Sequence, residues 1–185
     1  MLLHAKQLLS SAGVVPEAAQ GIYNSSLLSF WQDNITFQNI HLTNIDTWYL
    51  DYVFLVTGAN NRLQGLVSTE CSTQNSVVSI MQATDQDGSG TTLISGANFN
   101  NSTPRALYLQ KMPTVIEDSN FVNGQQAINI LDSNTTMLHT LFANLSWPDG
   151  GAAMLVVNSD GSPLHLSNCS FLNNSANSGD DSTKG

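Results

Sequence analysis

Charged residues, and positive charge above all, are scarce in this chain. Only 10% of the 185 residues are charged, against about 25% in an average domain. Five Lys and Arg face fourteen Asp and Glu, so the formal net charge is −9. This deficit of positive charge excludes nucleic acid as a partner and argues against anionic membranes and acidic polysaccharides. A protein or a neutral glycan at a cell surface is the partner that we expect.

Long apolar runs and strong helix formers are also missing. No stretch approaches about 18 apolar residues, so no membrane-spanning helix is predicted. Glu, Lys and Arg are few, whereas Asn, Ser and Thr together account for nearly a third of the chain. The hydrophobic share of 41% is nevertheless sufficient for a folded core. The composition therefore indicates an ordered domain whose surface is polar through amides and hydroxyls.

A repeated tripeptide, Phe-x-Asn, is the most informative pattern. Its last four copies begin at positions 99, 121, 142 and 171, and the first, at position 37, precedes them by close to three of the shorter intervals. A period of about 20–30 residues indicates stacked units. We predict two ladders, one of buried rings and one of Asn amides that bond along the stack. The ladder residues are Phe37, Phe99, Phe121, Phe142 and Phe171, with Asn39, Asn101, Asn123, Asn144 and Asn173.

Each period holds at least two short strands with one buried face, as the alternation around the Phe residues indicates, with Leu141 as the one exception. Such a unit cannot bury its apolar face alone, so equivalent strands of successive coils pair in parallel about 4.8 Å apart. We predict an all-β fold: a right-handed parallel β-helix of about seven or eight coils, the hand following from general connection rules. A leucine-rich repeat is the alternative, but only residues 164–169 approach its pattern.

The ends of the chain differ from the repeats. Residues 1–22 lack the Phe-x-Asn unit and are predicted to form a short helical cap over the solenoid. A signal peptide is the alternative for this segment, although no Ala-x-Ala cleavage site follows it. Residues 23–179 are assigned to the β-helix, and residues 180–185 form a polar tail. A strand is due soon after Phe171, so we expect a longer parent chain.

The C-terminal repeats resemble those of chlamydial polymorphic outer-membrane proteins. That family alternates Phe-x-x-Asn with Gly-Gly-Ala-(Ile/Leu/Val), and this chain has Phe-Leu-Asn-Asn at 171–174 and Gly-Gly-Ala-Ala at 150–153. The other Phe units carry Asn two residues later but not three. The resemblance covers about residues 93–179 and implies a β-helical region used at a cell surface. The wider pectin-lyase-like proteins are a second kinship, through fold alone.

Eight Asn-x-Ser/Thr triplets occur, and in a secreted chain they are acceptors for N-linked glycans. Asn34 and Asn168 lie beside predicted strands and are expected to be the least accessible. The remaining candidates are Asn24, Asn100, Asn101, Asn134, Asn144 and Asn173. An equally valid interpretation is that a chain so rich in Asn, Ser and Thr produces the triplet by chance.

The two cysteines are expected to be free thiols. Cys71 and Cys169 are separated in the sequence by four to five of the predicted coils. That separation is roughly 20 Å, whereas a disulfide needs Cα atoms within about 7 Å. The spacing fits no zinc pattern either, and we expect no metal and no cofactor.

Two functions remain open. The first is a non-catalytic extracellular or cell-surface module with an adhesive or structural role. The alternative is a carbohydrate-active β-helix protein or its inactive remnant, which requires acids on adjacent coils. Glu117 or Asp118 with Asp160 is the best such pairing in the sequence, and the histidines are expected to be outward or turn residues. The aromatic group of Trp31, Trp48, Tyr49 and Tyr52 is interpreted as packing, with a sugar platform as the alternative.

Overall fold

The protein folds as a parallel β-helix. A computed structural model describes residues 26–82, 90–148, 150–159 and 161–176, and all their regular secondary structure is β-strand. Six coils each contribute one strand to three parallel sheets, called A, B and C. None of the described residues forms a helix that could cross a membrane. The expected helical cap at 1–22 and the tail at 180–185 lie outside the described residues.

The strands recur in the order A, B, C around every coil. Sheet A contains β1 (Ser26–Phe30), β5 (Tyr52–Val56), β8 (Ser76–Met81), β11 (Arg105–Gln110), β14 (Gln126–Leu131) and β18 (Met154–Val157). Sheet B contains β2 (Thr36–Gln38), β6 (Arg62–Gln64), β9 (Thr92–Ser95), β12 (Thr114–Glu117), β15 (Thr135–Leu138) and β19 (Leu164–Ser167). Sheet C contains β3 (His41–Thr43), β7 (Val67–Thr73), β10 (Asn98–Thr103), β13 (Asn120–Val122), β16 (Leu141–Ala143) and β20 (Ser170–Leu172). Short strands β4 (Asp46–Thr47), β17 (Ser146–Trp147) and β21 (Ser175–Ala176) follow sheet C.

Coil length varies along the chain, and longer coils mean fewer coils for the same number of residues. One position of sheet C is occupied in successive coils by residues 41, 67, 98, 120, 141 and 170. The steps from 98 to 120 and from 120 to 141 are shorter than the two steps before them and the one after. The short repeat therefore represents only the middle coils, and the described residues form six coils where seven or eight were expected for the whole chain. The right-handed sense stays a prediction.

The core lies between the three sheets and is mainly apolar, with buried Ser and Thr such as Ser68, Ser119 and Thr135 among the apolar side chains. Sheets B and C alternate inward and outward residues, as period-two strands should. Sheet A departs from this rule, since consecutive residues Val53 and Phe54 both join the core. The side chains on its other face form a second, smaller cluster of Tyr52, Leu55, Met81 and Tyr108.

Four phenylalanines form one column inside sheet C. Phe99, Phe121, Phe142 and Phe171 are paired in register, with ring centroids 4.9, 5.3 and 4.9 Å apart and nearly parallel planes. The first three are fully buried, but Phe171 is 45% exposed because no described coil covers it. Phe37 does not belong to this column. It lies on β2 of sheet B and packs edge-on against Phe30 and Phe54.

The Asn residues after these rings form a column too, but it faces solvent. Asn123 donates to Asn100 at 3.0 Å, Asn144 to Asn123 at 3.2 Å and Asn173 to Asn144 at 3.4 Å. The amide of Asn123 therefore bonds to Asn100 and not to Asn101, although Asn101 is the backbone equivalent of Asn123. A positive φ at Asn101, Asn123, Asn144 and Asn173 turns the backbone after each inward-facing Phe and directs these side chains outward.

Residues with positive φ mark the bends of the coils. Fourteen non-glycine residues adopt it within the described residues, and nine of them are Asn. Asn39 lies in such a column beside sheet B, not in the sheet C ladder. Its successive equivalents are Gly65, Gly96, Asp118, His139 and Asn168. Because Asn tolerates left-handed backbone better than most residues, these bends account for much of the Asn content.

Candidate functional site at the corner between sheets C and A

One corner of the solenoid collects the exposed aromatic pair and the longest polar network. It is called the C–A corner here, and it comprises the segments that join each sheet C strand to the sheet A strand of the next coil. These are residues 48–51, 74–75, 104, 123–125 and 148–153, with 149 outside the described residues. The first and last segments are longer than the others, and the first exposes Trp48 and Tyr49.

The long first segment projects two aromatic rings into solvent. Trp48 is 74% exposed and Tyr49 is 62% exposed. Their centroids are 6.2 Å apart and their planes cross at 86°, so two apolar surfaces meet at a right angle. Trp31 is also exposed, and of the four aromatic residues assigned to packing only Tyr52 is buried. The packing interpretation is therefore wrong for the other three.

A row of hydrogen bonds runs along the same corner across the coils. Asn75 donates to the Tyr52 hydroxyl at 3.3 Å and accepts from Arg105 Nη1 at 2.5 Å. Arg105 Nε donates to Gln126 Oε1 at 2.6 Å, and Gln126 Nε2 donates to the Gly151 carbonyl at 3.0 Å. The row therefore links five successive coils with donors and acceptors held in fixed positions.

The far end of the row is closed by a tryptophan and a glycine turn. The Arg105 guanidinium lies 5.8 Å from the Trp147 ring centroid, a distance at which cation–π attraction operates. Gly151 cannot carry a side chain, because a Cβ there would stand 2.0 Å from the Met154 carbonyl oxygen. This close approach accounts physically for the second glycine of the Gly-Gly-Ala element.

The tyrosines beside the row are hard to ionise. Burial, followed by the neighbouring Tyr108 and Asp51, raises the pKa of Tyr52 from 10.0 to about 12. Burial also raises the pKa of Tyr108, against the opposing effect of Arg105. Both hydroxyls are therefore harder to ionise than that of a free tyrosine, and Tyr52, which is buried, is an internal member of the row that accepts from Asn75.

The acids predicted for a catalytic pair are not assembled by the described residues. Glu117 ends β12, and Asp118 lies in the exposed bend column, where its Oδ1 is 3.4 Å from His139 Nδ1. Asp160 lies outside the described residues. No group of three or more metal-binding side chains occurs in the part of the chain that the structure describes. His41 and His165 are exposed on strands, and His139 occupies a bend.

The predicted glycan acceptors are mostly exposed. Asn101, Asn134, Asn144 and Asn173 are exposed, Asn100 is half-buried, and Asn24 lies outside the described residues. Asn34 and Asn168 are exposed as well, so the expectation that they are the least accessible is wrong. Both have positive φ at bends, which places their side chains beyond the ends of the strands.

Both cysteines are free thiols. Cys71 is buried and its Sγ lies 3.3 Å from the Leu42 carbonyl oxygen, while Cys169 is half-buried. They are four coils apart by strand register. The expectation of free thiols is confirmed.

Sequence reasoning did not predict the row that joins Asn75, Arg105 and Gln126. The signal that could have found two of them is their spacing, because Arg105 and Gln126 lie one short coil apart and occupy paired positions of sheet A. Asn75 precedes Arg105 by one long coil, so no fixed period connects it to the others.

Comparison with known proteins adds no relative: no model of a protein family, no curated protein and no solved structure matches the chain.

Proposed function

We propose that this protein is a non-catalytic β-helix module, extracellular or at a cell surface, that binds a neutral glycan through the C–A corner. The observation that carries the proposal is the exposed pair of Trp48 and Tyr49 beside a row of fixed polar groups. An aromatic face packs against the apolar face of a sugar ring, while amides and a guanidinium bond to its hydroxyls. The net charge of −9 supports an uncharged ligand.

The dimensions of the corner suit a chain of sugars better than a single one. Trp48 belongs to the first coil and Trp147 to the fifth, so about four steps of roughly 4.8 Å separate them, or about 19 Å. Between them Asn75 and Arg105 are half-buried and reach the surface, whereas Gln126 is buried and holds Arg105 in place. A glycan crossing the coils would meet the exposed parts of Asn75 and Arg105.

The resemblance to chlamydial surface repeats supports the same location. In the Phe-x-x-Asn element, Asn174 bonds the preceding coil twice: it accepts from Leu145 N at 3.1 Å and donates to the Phe142 carbonyl at 3.0 Å. These bonds give the fourth residue of the element a structural role. We therefore propose kinship with this kind of surface repeat, and with pectin-lyase-like proteins through fold.

Binding measurements on unglycosylated protein test the proposal. Isothermal titration with soluble glucan, mannan and xylan oligosaccharides should show binding of at least one, and Trp48→Ala should weaken it at least tenfold. Trp31→Ala is the matched control, since Trp31 is 53% exposed but follows β1 at a different corner. Binding of none of these, or equal binding by the Trp48 variant, would overturn the proposal; capture of a protein partner instead would point to adhesion without glycan.

The alternative, a carbohydrate-active enzyme, is tested with the same substrates. We expect no new reducing ends after incubation with pectin, alginate and neutral glucans. If reducing ends appear and Asp118→Asn abolishes them, the enzyme replaces the binding module.

A further inference from the structure

We propose that Asn34, Asn134 and Asn168 carry N-linked glycans in the folded secreted protein, whereas Asn144 and Asn173 do not. The inference rests on the proposed extracellular location, because the sugar donor and its transferase belong to the secretory route. It changes the sequence-based selection in two ways. It adds two acceptors that the sequence disfavoured, Asn34 and Asn168, and removes four that the sequence favoured: Asn100, Asn101, Asn144 and Asn173.

The three acceptors share one structural setting. Asn34 lies between β1 and β2, Asn134 between β14 and β15, and Asn168 between β19 and β20, so each bounds a strand of sheet B. All three are exposed, and among the described residues no hydrogen bond engages their side-chain amides. The hydroxyl residues two positions later are exposed or half-buried: Thr36, Thr136 and Ser170. A glycan at these bends extends into solvent without displacing a contact.

The two excluded acceptors are members of the amide column. The Asn144 amide donates to Asn123 at 3.2 Å and its oxygen accepts from Asn173 at 3.4 Å. Both sides of the Asn144 side chain are therefore occupied by neighbours one coil away, about 4.8 Å distant. A sugar ring on Nδ2 would displace at least one of these bonds.

The overlapping pair Asn100 and Asn101 is unsuitable for other reasons. The hydroxyl of the first triplet belongs to Ser102, which is 3% exposed and bonds Ser68 Oγ at 3.3 Å. The hydroxyl of the second belongs to Thr103, which precedes Pro104, and proline restricts the backbone before it to extended conformations. Asn100 also accepts from Asn123 at 3.0 Å, so a glycan there would crowd the amide column once the chain has folded.

The chemistry is transfer of an oligosaccharide from a lipid diphosphate donor. The Asn Nδ2 forms a bond to C1 of the first sugar, and the bond between C1 and the diphosphate oxygen breaks. The amide gives up one proton to a base of the transferase, and the lipid diphosphate leaves. Because transfer precedes folding, the fold acts afterwards: chains modified at Asn144 lose column bonds and are depleted from the folded secreted fraction.

The assignment also agrees with a free C–A corner. The three acceptors lie at the corners between sheets A and B and between sheets B and C. Glycans there surround sheet B and leave the opposite corner uncovered, together with Trp48 and Tyr49.

Glycopeptide mapping tests the inference. The full chain is secreted from a eukaryotic host behind a host signal peptide, the folded monomer is isolated, and the glycans are removed enzymatically in heavy-oxygen water so that each occupied Asn becomes labelled Asp. We expect labelling at Asn34, Asn134 and Asn168 and none at Asn144 or Asn173. Intact mass should fall by one glycan in each of Asn34→Gln, Asn134→Gln and Asn168→Gln, and stay unchanged in the matched control Asn144→Gln.

Occupancy at Asn144 or Asn173 in the folded fraction, or none at the three sheet B acceptors, would overturn the inference. Either failure is separate from the function, because glycan binding is measured on protein made without glycosylation. Loss of binding with correct occupancy would instead overturn the proposed function.

Discussion

The two halves of the solenoid fill the same core by different means. In residues 90–176 one position of sheet C holds a phenylalanine in every coil, and the rings stack. In residues 26–82 the equivalent positions hold Leu42 and Ser68. The aromatic volume there comes instead from Phe30, Phe37 and Phe54, which lie on sheets A and B with ring planes that cross at 67°, 38° and 82°. The difference shows that a solenoid needs a filled core in each coil, but not the same residue in the same place.

The largest effect should come from the centre of the ring column. Phe121→Ala removes a fully buried ring with a stacked neighbour on each side and should lower the free energy of unfolding by about 3–5 kcal/mol. Urea unfolding followed by circular dichroism measures it. Phe171→Ala is the matched control: it should cost clearly less, since that ring is 45% exposed and has a described stacking partner on one side only. Equal losses of unfolding free energy in the two variants would mean that burial and two-sided stacking of the Phe121 ring do not add to stability.

Adding a phenylalanine to the ring column in the N-terminal half should destabilise the protein. Ser68→Phe restores the repeat at a position that is fully buried, but the core around it is already filled, so we expect destabilisation of about 1–3 kcal/mol. Thr69→Phe on the same strand is the control, because its side chain points outward and should change stability by less than about 0.5 kcal/mol. A more stable Ser68 variant would show that the column, and not total volume, determines packing.

Alkaline pH should destabilise the folded protein through the buried Tyr52 in the N-terminal half. The folded protein holds the proton of Tyr52 up to a pKa of about 12, against 10.0 for an unperturbed tyrosine, so the folded state binds more protons than the unfolded state in this interval. The free energy of unfolding should therefore be unaffected by this group below about pH 10 and fall as pH rises towards 12. Urea unfolding at a series of pH values measures this.

Two variants separate Tyr52 from the other tyrosines. Tyr52→Phe should flatten the decline above about pH 10, because the titrating hydroxyl is gone. Tyr49→Phe changes a ring that is 62% exposed and should leave the decline unchanged. A decline of the same steepness in the Tyr52 variant would contradict the assignment.

The smallest effect concerns Glu70, an acid among the positive-φ residues, mostly Asn, at the bends of sheet C. Glu70 has a φ of 53° in the position that Asn44 and Asn101 occupy in the adjacent coils. Glu70→Asn should raise the free energy of unfolding by about 0.5–1 kcal/mol, because Asn tolerates left-handed backbone better. Glu117→Asn on a regular strand is the control for loss of charge alone. Equal gains in both would assign the effect to charge.

Sequence reasoning was most accurate where coils are short and equal. The spacing of Phe99, Phe121 and Phe142 predicted the fold and the stacked strands, because one coil returns the chain to the same position. It failed at Phe37, which lies two long coils before Phe99 and on a different sheet. The number of residues between these two Phe residues is close to three short coils only by coincidence. The C–A corner was missed for the same reason, and also because exposure of Trp48 and Tyr49 depends on how far their segment leaves the coil.

What the sequence by itself determined is the class of fold and the need for bends. Alternation at period two and return at the coil period are properties of residue order, and so is the frequency of Asn, which tolerates the backbone that a bend requires. What only the tertiary structure decided is which side chains meet: the Asn side chains outside and the Phe rings inside, Arg105 between Asn75 and Gln126, Asp118 beside His139. Which side chains become neighbours depends on the number of residues in each coil. That number is a property of the whole coil, so no local sequence pattern reveals it.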